Sequence, residues 1–120
     1  MGLKIYTYKN CSTCKRALKW LDAQGVDYTD IPIREKPPTK TELKTMLGYF
    51  HGIKKRLFNV AGNDYRALNL KEKISGMSEK EVIDLLNGNG NLVKRPFVLA
   101  EKTGTVGFSE DRWRELGLDA

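Results

Sequence analysis

Apolar and polar positions alternate along this chain with a period that changes several times, and each change marks an element. Leu3–Tyr8 reads as a strand, with Leu3, Ile5 and Thr7 on one face and Lys4, Tyr6 and Tyr8 on the other. Lys9-Asn10 breaks it. From Ser12 the period becomes helical: Cys14, Ala17, Leu18 and Leu21 stand at i, i+3, i+4 and i+7, with Lys15, Arg16, Lys19 and Asp22 mostly outside that stripe. Gly25 is positioned to end the helix. Val26–Ile31 is predicted to be a second strand. Strand, helix and strand in about 30 residues make a βαβ unit, which requires a parallel pair and a right-handed crossover.

Pro32, Pro37 and Pro38 then interrupt regular structure. Thr39 with Glu42, and Ser78 with Glu81, are capping boxes. The first opens a helix through Leu43, Met46, Leu47 and Phe50 that His51-Gly52 ends. The second opens one with Val82, Leu85 and Leu86 facing inward, dissolving in Asn87–Asn91. Between them lie a short helical or irregular piece at Ile53–Phe58 and a turn at Ala61–Asp64 that leads to Tyr65, Leu68 and Leu70. Phe97–Leu99 is a short apolar strand entered through Lys94-Arg95-Pro96. Lys102-Thr103-Gly104 turns it back into Thr105–Phe108. Ser109 caps a last helix carrying Arg112, Trp113 and Leu116, with Gly117 as its stop. The order is β-α-β, a long all-helical stretch, then β-β-α: an α/β fold spanning 1–120 as one domain, with a helical insertion at about 39–90 between the second and third strands.

Composition narrows the class. With 40% hydrophobic and 30% charged residues the chain is neither collagen-like nor disordered. No apolar run approaches the roughly 18 residues of a membrane span. MGLKIYTYKN lacks the apolar stretch of a signal peptide, so a cytoplasmic location is expected. Gly2 is no myristoylation signal, because Ile5 and Tyr6 stand where small polar residues are required. The formal charge is +6, yet residues 1–60 hold twelve basic and five acidic side chains against nine and ten in 61–120. That one-sided excess steers an anionic partner or serves solubility, and the sequence leaves both open. Lys54-Lys55-Arg56 reads as a solvated face, with contact to an acidic partner as the alternative. No recognition helix or zinc module appears, so direct nucleic-acid binding is not expected. Trp20 and Trp113 are expected to be packing residues, and His51 a cap or surface residue.

The two cysteines, Cys11 and Cys14, fall at the junction of the first strand and helix. Zinc needs about four ligands, and the chain offers this pair and a distant His51, so a metal is not expected. Inert packing and thiol chemistry remain. Placement favours the second: unpaired amides at a helix N-terminus stabilise a thiolate, and Lys9, Lys15 and Arg16 add positive charge. Cys11 is the candidate nucleophile, and Cys14, one turn on and on the buried stripe, the candidate resolving thiol.

Tyr6–Leu21 (YTYKNCSTCKRALKWL), Pro37–Leu43, Asn59–Leu70 (NVAGNDYRALNL), Leu92–Leu99 (LVKRPFVL) and Val106–Asp111 (VGFSED) resemble the arsenate reductase (ArsC) family of the thioredoxin/glutaredoxin superfamily, and most closely its Spx-related subgroup. The resemblance implies a thioredoxin-like fold with the helical insertion already deduced, and a cis peptide at Arg95-Pro96 facing the cysteines. Cys11 matches the family's catalytic cysteine, and Arg95 matches one of three arginines around the oxyanion. The other two positions hold Asn59 and Gly107, so a dianion such as arsenate meets one matched arginine, with Lys54, Lys55 or Arg56 as stand-ins. Cys14 matches the Spx-type redox switch, whose state alters binding to the C-terminal domain of the RNA polymerase alpha subunit; Gly52 is the nearest match to a glycine of that contact. Three functions follow: a thiol–disulfide oxidoreductase, an Spx-type regulator, and an arsenate reductase. The expected site is Cys11, Cys14 and Arg95, with Lys15 and Asn59 as further substrate contacts and Pro96 as its support. No bound cofactor is expected, only an external thiol reductant (glutathione or thioredoxin), and the protein is expected to be a monomer.

Overall fold

In the computed structural model, residues 3–119 are described; Gly2 lies outside them. The elements run β1 (Leu3–Thr7), α1 (Ser12–Gln24), β2 (Tyr28–Pro32), α2 (Lys40–Tyr49), α3 (Asn63–Ala67), α4 (Leu70–Lys73), α5 (Glu79–Gly88), β3 (Phe97–Leu99), β4 (Gly104–Val106) and α6 (Glu110–Glu115), with short 3-10 turns between several of them. The described residues up to Pro32 and from Arg95 onward form one compact unit, and Ile33–Lys94 form a second. The first is an α/β thioredoxin-like core; the helices between β2 and β3 are its all-helical insertion.

In the core unit the sheet order is β2-β1-β3-β4. β1 pairs in parallel with β2 and antiparallel with β3, and β3 pairs antiparallel with β4. β1 is thus central, and its Leu3 and Ile5 are buried against Ala17, Trp20 and Leu21 of α1, Val98 of β3 and Trp113 of α6. Trp20 and Trp113 meet edge-to-face at 5.9 Å, and Phe108 meets Trp113 at 4.9 Å. These rings fasten α1 and α6 to the same side of the sheet, each contributing apolar burial of roughly 1.5–3 kcal/mol.

Two strands differ from the periodic reading, each for a local reason. β2 starts at Tyr28 rather than Val26 because Val26 still belongs to the helix stop. Gly25 adopts φ 71°. Its amide donates to the Asp22 carbonyl and that of Val26 to the Leu21 carbonyl, the paired bonds of a Schellman motif. β2 also runs through Pro32, which an edge strand tolerates because no ladder N–H is needed on its outer side. β4 covers Gly104–Val106 rather than Thr105–Phe108 because Gly107, at φ 76°, turns the chain out of the strand.

In the insertion unit both predicted capping boxes are formed, at Thr39/Glu42 and Ser78/Glu81. α2 packs on α5 through Leu43, Met46 and Leu47 on one side and Val82, Ile83 and Leu86 on the other. Ile83 takes the inward place expected of Leu85, since α2 lies on its side: Ile83 borders the same cleft as Lys40, Thr41 and Lys44. His51 is exposed at φ 57° and ends α2 as a surface residue. The ends of this unit are clasped by the Phe58–Val93 bridge and by Gly90. A Cβ at Gly90 would lie 1.9 Å from the Ile33 carbonyl oxygen, while at Gly88 it would meet nothing. Gly90→Ala is therefore expected to lower stability by about 3 kcal/mol or more, and Gly88→Ala to be neutral or stabilising by up to about 1 kcal/mol. Urea unfolding midpoints of the two variants check this, and equal midpoints would contradict it.

Candidate redox-active site

The site grows out of the first turn of α1. Cys11 has extended backbone angles, φ −98° and ψ 110°, and is the N-cap. Its carbonyl accepts the Lys15 amide at 3.1 Å, and its Sγ accepts the Cys14 amide at 3.2 Å. A cap normally offers a side-chain oxygen to that amide; here a sulfur takes the role. α1 has no acidic residue in its first turn, whereas α2, α5 and α6 carry Glu42, Glu79 with Glu81, and Glu110 with Asp111. The positive end of the α1 dipole is thus left to the sulfur. Both cysteines are free thiols, Cys11 half-buried and Cys14 buried.

Cys14 lies beneath the cap. Burial pushes its thiol up to about 12; a hydrogen bond with Cys11 and the charge of that sulfur add to the rise, while a backbone hydrogen bond from Tyr8 and the Arg95 guanidinium oppose it. Cys14 is therefore protonated at neutral pH, chiefly because it is buried.

Tyr8 ties the parts together. Its carbonyl accepts the Cys11 amide at 3.0 Å, and its ring lies 4.9 Å from the Arg95 guanidinium carbon. Arg95 precedes β3, and the Arg95–Pro96 peptide is cis. Arg95 Nη1 is buried and has no hydrogen-bond partner. A guanidinium nitrogen held out of water without an acceptor is poised for an anionic or carbonyl oxygen. The core unit thus brings Cys11, Cys14 and Arg95 to Tyr8, with Pro96 next to Arg95 in the chain and Lys15 exposed on the first turn of α1.

The remaining expected residue, Asn59, belongs to the insertion unit. Its Nδ2 reaches the Asn91 carbonyl at 3.4 Å, its backbone N–H donates to Leu92, and its carbonyl accepts the Gly62 amide. Gly107, the other position matched to an oxyanion arginine, donates its amide to Pro96 and accepts the Trp113 indole N–H at 3.1 Å. Its φ of 76° is a conformation an arginine would adopt only under strain. Both positions are occupied by residues with backbone duties.

Sequence reasoning missed three neighbours of the pair. In the sequence Tyr8, Thr7 and Asp30 carry only a strand pattern and nothing that ties them to the cysteines. Thr7, Tyr8, Asp30 and Lys15 border a cavity of about 190 Å³ that also touches Cys14. Thr7 Oγ1 donates to Asp30 Oδ1 at 2.6 Å. The β1–β2 register, Ile5 opposite Asp30, is the only signal that would have placed Asp30 here, and a single sequence does not reveal a register. Among the described residues no cluster of three or more metal-binding side chains exists, and no helix is long and apolar enough to cross a membrane.

Fold and site together define a thioredoxin-like protein whose closely spaced cysteine pair is consistent with a redox-active site. The chain belongs to the ArsC family, whose model matches residues 6–116. It is 44% identical over 96% of its length to YusI of Bacillus subtilis (strain 168), covering 98% of that protein. The solved structure of an ArsC-family-related protein from Bacteroides fragilis superposes with a TM-score of 0.90 at 40% identity, covering 97% of this chain and 98% of that one. The global transcriptional regulator Spx of Lactiplantibacillus plantarum is 26% identical over 93% of this chain and 83% of its own.

The raised Cys14 thiol has a consequence for stability. Unfolded, it ionises near 9; folded, it keeps its proton to about 12. Stability owed to the held proton is full below pH 9 and falls as pH rises toward 12, because the unfolded state sheds a proton the native state retains. Urea unfolding at stepped pH from 8 to 11 is expected to show a shallower alkaline loss for Cys14→Ala than for the wild type; equal slopes would remove Cys14 as a contributor.

Proposed function

We propose that the protein is a cytoplasmic thiol–disulfide oxidoreductase of the ArsC family in which Cys11 is the nucleophile and Cys14 resolves. The observation that carries this reading is the Cys14 amide donated to Cys11 Sγ at the mouth of α1, with the Cys14 thiol buried one turn below. The Cys11 thiolate attacks one sulfur of a substrate disulfide, forms a mixed disulfide and expels the other half as a thiolate. Cys14 then loses its proton and attacks Cys11 Sγ, closing the Cys11–Cys14 disulfide and releasing the second half of the substrate. Two electrons pass from the cysteine pair to the substrate, and an external thiol, glutathione or a thioredoxin-type protein, returns them.

The buried thiol sets the order of these steps. Two of the effects that keep Cys14 protonated come from Cys11. Once Cys11 is in a mixed disulfide its negative charge is gone, while the Tyr8 amide and Arg95 continue to favour the Cys14 anion. Arg95, with its unpartnered Nη1, orients an anionic or carbonyl group of the substrate, Lys15 adds positive charge at the entrance, and Pro96 supports the wall. A disulfide makes smaller demands on positive charge than arsenate, which the resemblance matches to one arginine here rather than three.

Titration of the reduced protein with oxidised glutathione tests this reading. The wild type is expected to lose two thiols with no net adduct, and Cys14→Ser to hold one glutathione on Cys11. A wild type that forms no intramolecular disulfide would falsify the proposal.

A second reading is favoured by the Spx relatives, whose match runs over 93% of this chain. In it the same disulfide switches binding to the RNA polymerase alpha subunit instead of turning over a substrate. Pull-down on the alpha C-terminal domain with reduced and oxidised protein separates the two: the regulator requires binding that differs between the states, and no binding in either excludes it.

A further inference from the structure

Arg95 is half-buried at the entry to β3, and its Nη1 is shielded from solvent without a hydrogen-bond partner. Among the described residues no hydrogen bond or ion pair fixes its guanidinium, which lies over the ring of Tyr8 at 4.9 Å. A long side chain with no anchoring acceptor spreads over many rotamers, and the entropy of gathering it then weakens ligand binding. An arginine laid on an aromatic face is already gathered, because the planar fork stacks on the planar ring.

Sheet register builds this contact. β1 and β3 pair antiparallel, with Tyr6 opposite Phe97 as the last rung. Continued two residues further, the same count sets Tyr8 opposite Arg95, on the face where the Tyr6 and Phe97 rings meet edge-to-face at 5.7 Å. The Tyr8 hydroxyl is engaged elsewhere, accepting from Asn10 Nδ2 at 3.2 Å, so the ring face is the part that meets Arg95. The main chain of Tyr8 serves the cysteines: its carbonyl accepts the Cys11 amide at 3.0 Å, and its backbone hydrogen bond favours an anion on Cys14. One residue thus holds the start of α1 with its backbone and the site's matched arginine with its ring.

We propose that Tyr8 is a positioning residue whose ring presets the Arg95 guanidinium for a carboxylate on the substrate, so that the site prefers anionic disulfides to neutral ones. The side chain acts through Arg95, not on the reacting sulfurs. Lys9 and Lys15 also bring positive charge to the rim, but both are exposed and screened by salt, and neither depends on the ring. The proposal rests on the thiol–disulfide reading and names its substrate class.

Two small symmetric disulfides of similar size, the anionic dithiodiglycolate and the neutral hydroxyethyl disulfide, test it. The rate at which reduced protein closes its Cys11–Cys14 disulfide is followed with each by acid quench and mass spectrometry, and scaled to the rate of mercaptoethanol with the same disulfide. The wild type is expected to react faster with the anion on that scale. Tyr8→Leu is expected to slow the reaction with dithiodiglycolate about tenfold, the scale of one charge-assisted hydrogen bond, and to leave the neutral disulfide within about twofold of wild type. Tyr8→Phe, which keeps the ring, is expected to retain the anionic preference. Arg95→Met is expected to lower that preference as Tyr8→Leu does, and adding Tyr8→Leu to Arg95→Met to lower it no further, because the ring then has nothing to orient. Should Tyr8→Leu fail to melt cooperatively, Tyr8→Thr, a beta-forming side chain without a ring, takes its place with the same expected loss. A ringless variant that slows both disulfides equally or keeps the anionic preference, additive losses in the double variant, or a wild type without the preference each overturn the assignment of Tyr8. A wild type that closes its disulfide with neither compound overturns the underlying reading instead.

Discussion

The hydrogen bond from the Cys14 amide to Cys11 Sγ sets both the fold and the chemistry of this site. A helix start leaves its first amides unpaired, and the residue three positions before an orphan amide is the one that can reach it. Four helices here use that i to i+3 device: Thr39 reaches Glu42, Ser78 reaches Glu81, Ser109 reaches Arg112, and Cys11 reaches Cys14. The first three are local solutions to helix initiation. In the fourth the acceptor is a polarisable sulfur that can carry negative charge, and the donor belongs to a second cysteine. The spacing that makes a cap therefore also places one thiol directly over another. Chemistry and helix initiation share one geometric requirement.

What lies under that cap follows from where α1 is pinned. Ala17 and Leu21 continue the stripe that begins at Cys14, and both are fully buried against the sheet. Trp20, on the flank, locks onto Trp113 and Phe108. The helix has little freedom to roll, so Cys14 is fixed facing the sheet and Cys11 is fixed at the rim. The difference in exposure between the two thiols is thus a product of core packing. It separates an accessible thiol from a shielded one.

Much of this was legible in the sequence because it rests on local rules. Capping boxes, the Gly25 stop, the strand Phe97–Leu99 and the helical period from Cys14 to Leu21 are short-range signals, and each appears where its residues lie. The pattern starts β2 early, at the beta-forming side chain of Val26, because it does not show that a helix stop consumes the two residues after it. The long-range features were invisible. Tyr8 meets Arg95 only because β3 docks beside β1, and Asp30 reaches the cavity only because of a parallel register. The residues on the cysteine motif could be named in advance, whereas those that supply its surroundings come from strands that a single sequence cannot align.

The same distinction bears on what the site is built to hold. A tetrahedral dianion calls for several cations converging on one point, since each charge-assisted contact adds to the others only when all reach the same oxygens. In this chain the matched positions are Asn59 and Gly107, and neither is idle. Asn59 is bound into the loop that ends at Gly62, where even a Cβ would stand 2.7 Å from its Nδ2. Gly107 uses its left-handed backbone to turn β4 toward the Trp113 indole. Restoring arginine at Gly107 would strain that turn, and at Asn59 it would strip the loop of its bonds. The departure from the three-arginine pattern is therefore built into the packing rather than being two exchangeable surface changes. A site with one buried guanidinium nitrogen that lacks an acceptor, one rim thiol and one buried thiol does not offer the converging cations that a tetrahedral dianion calls for.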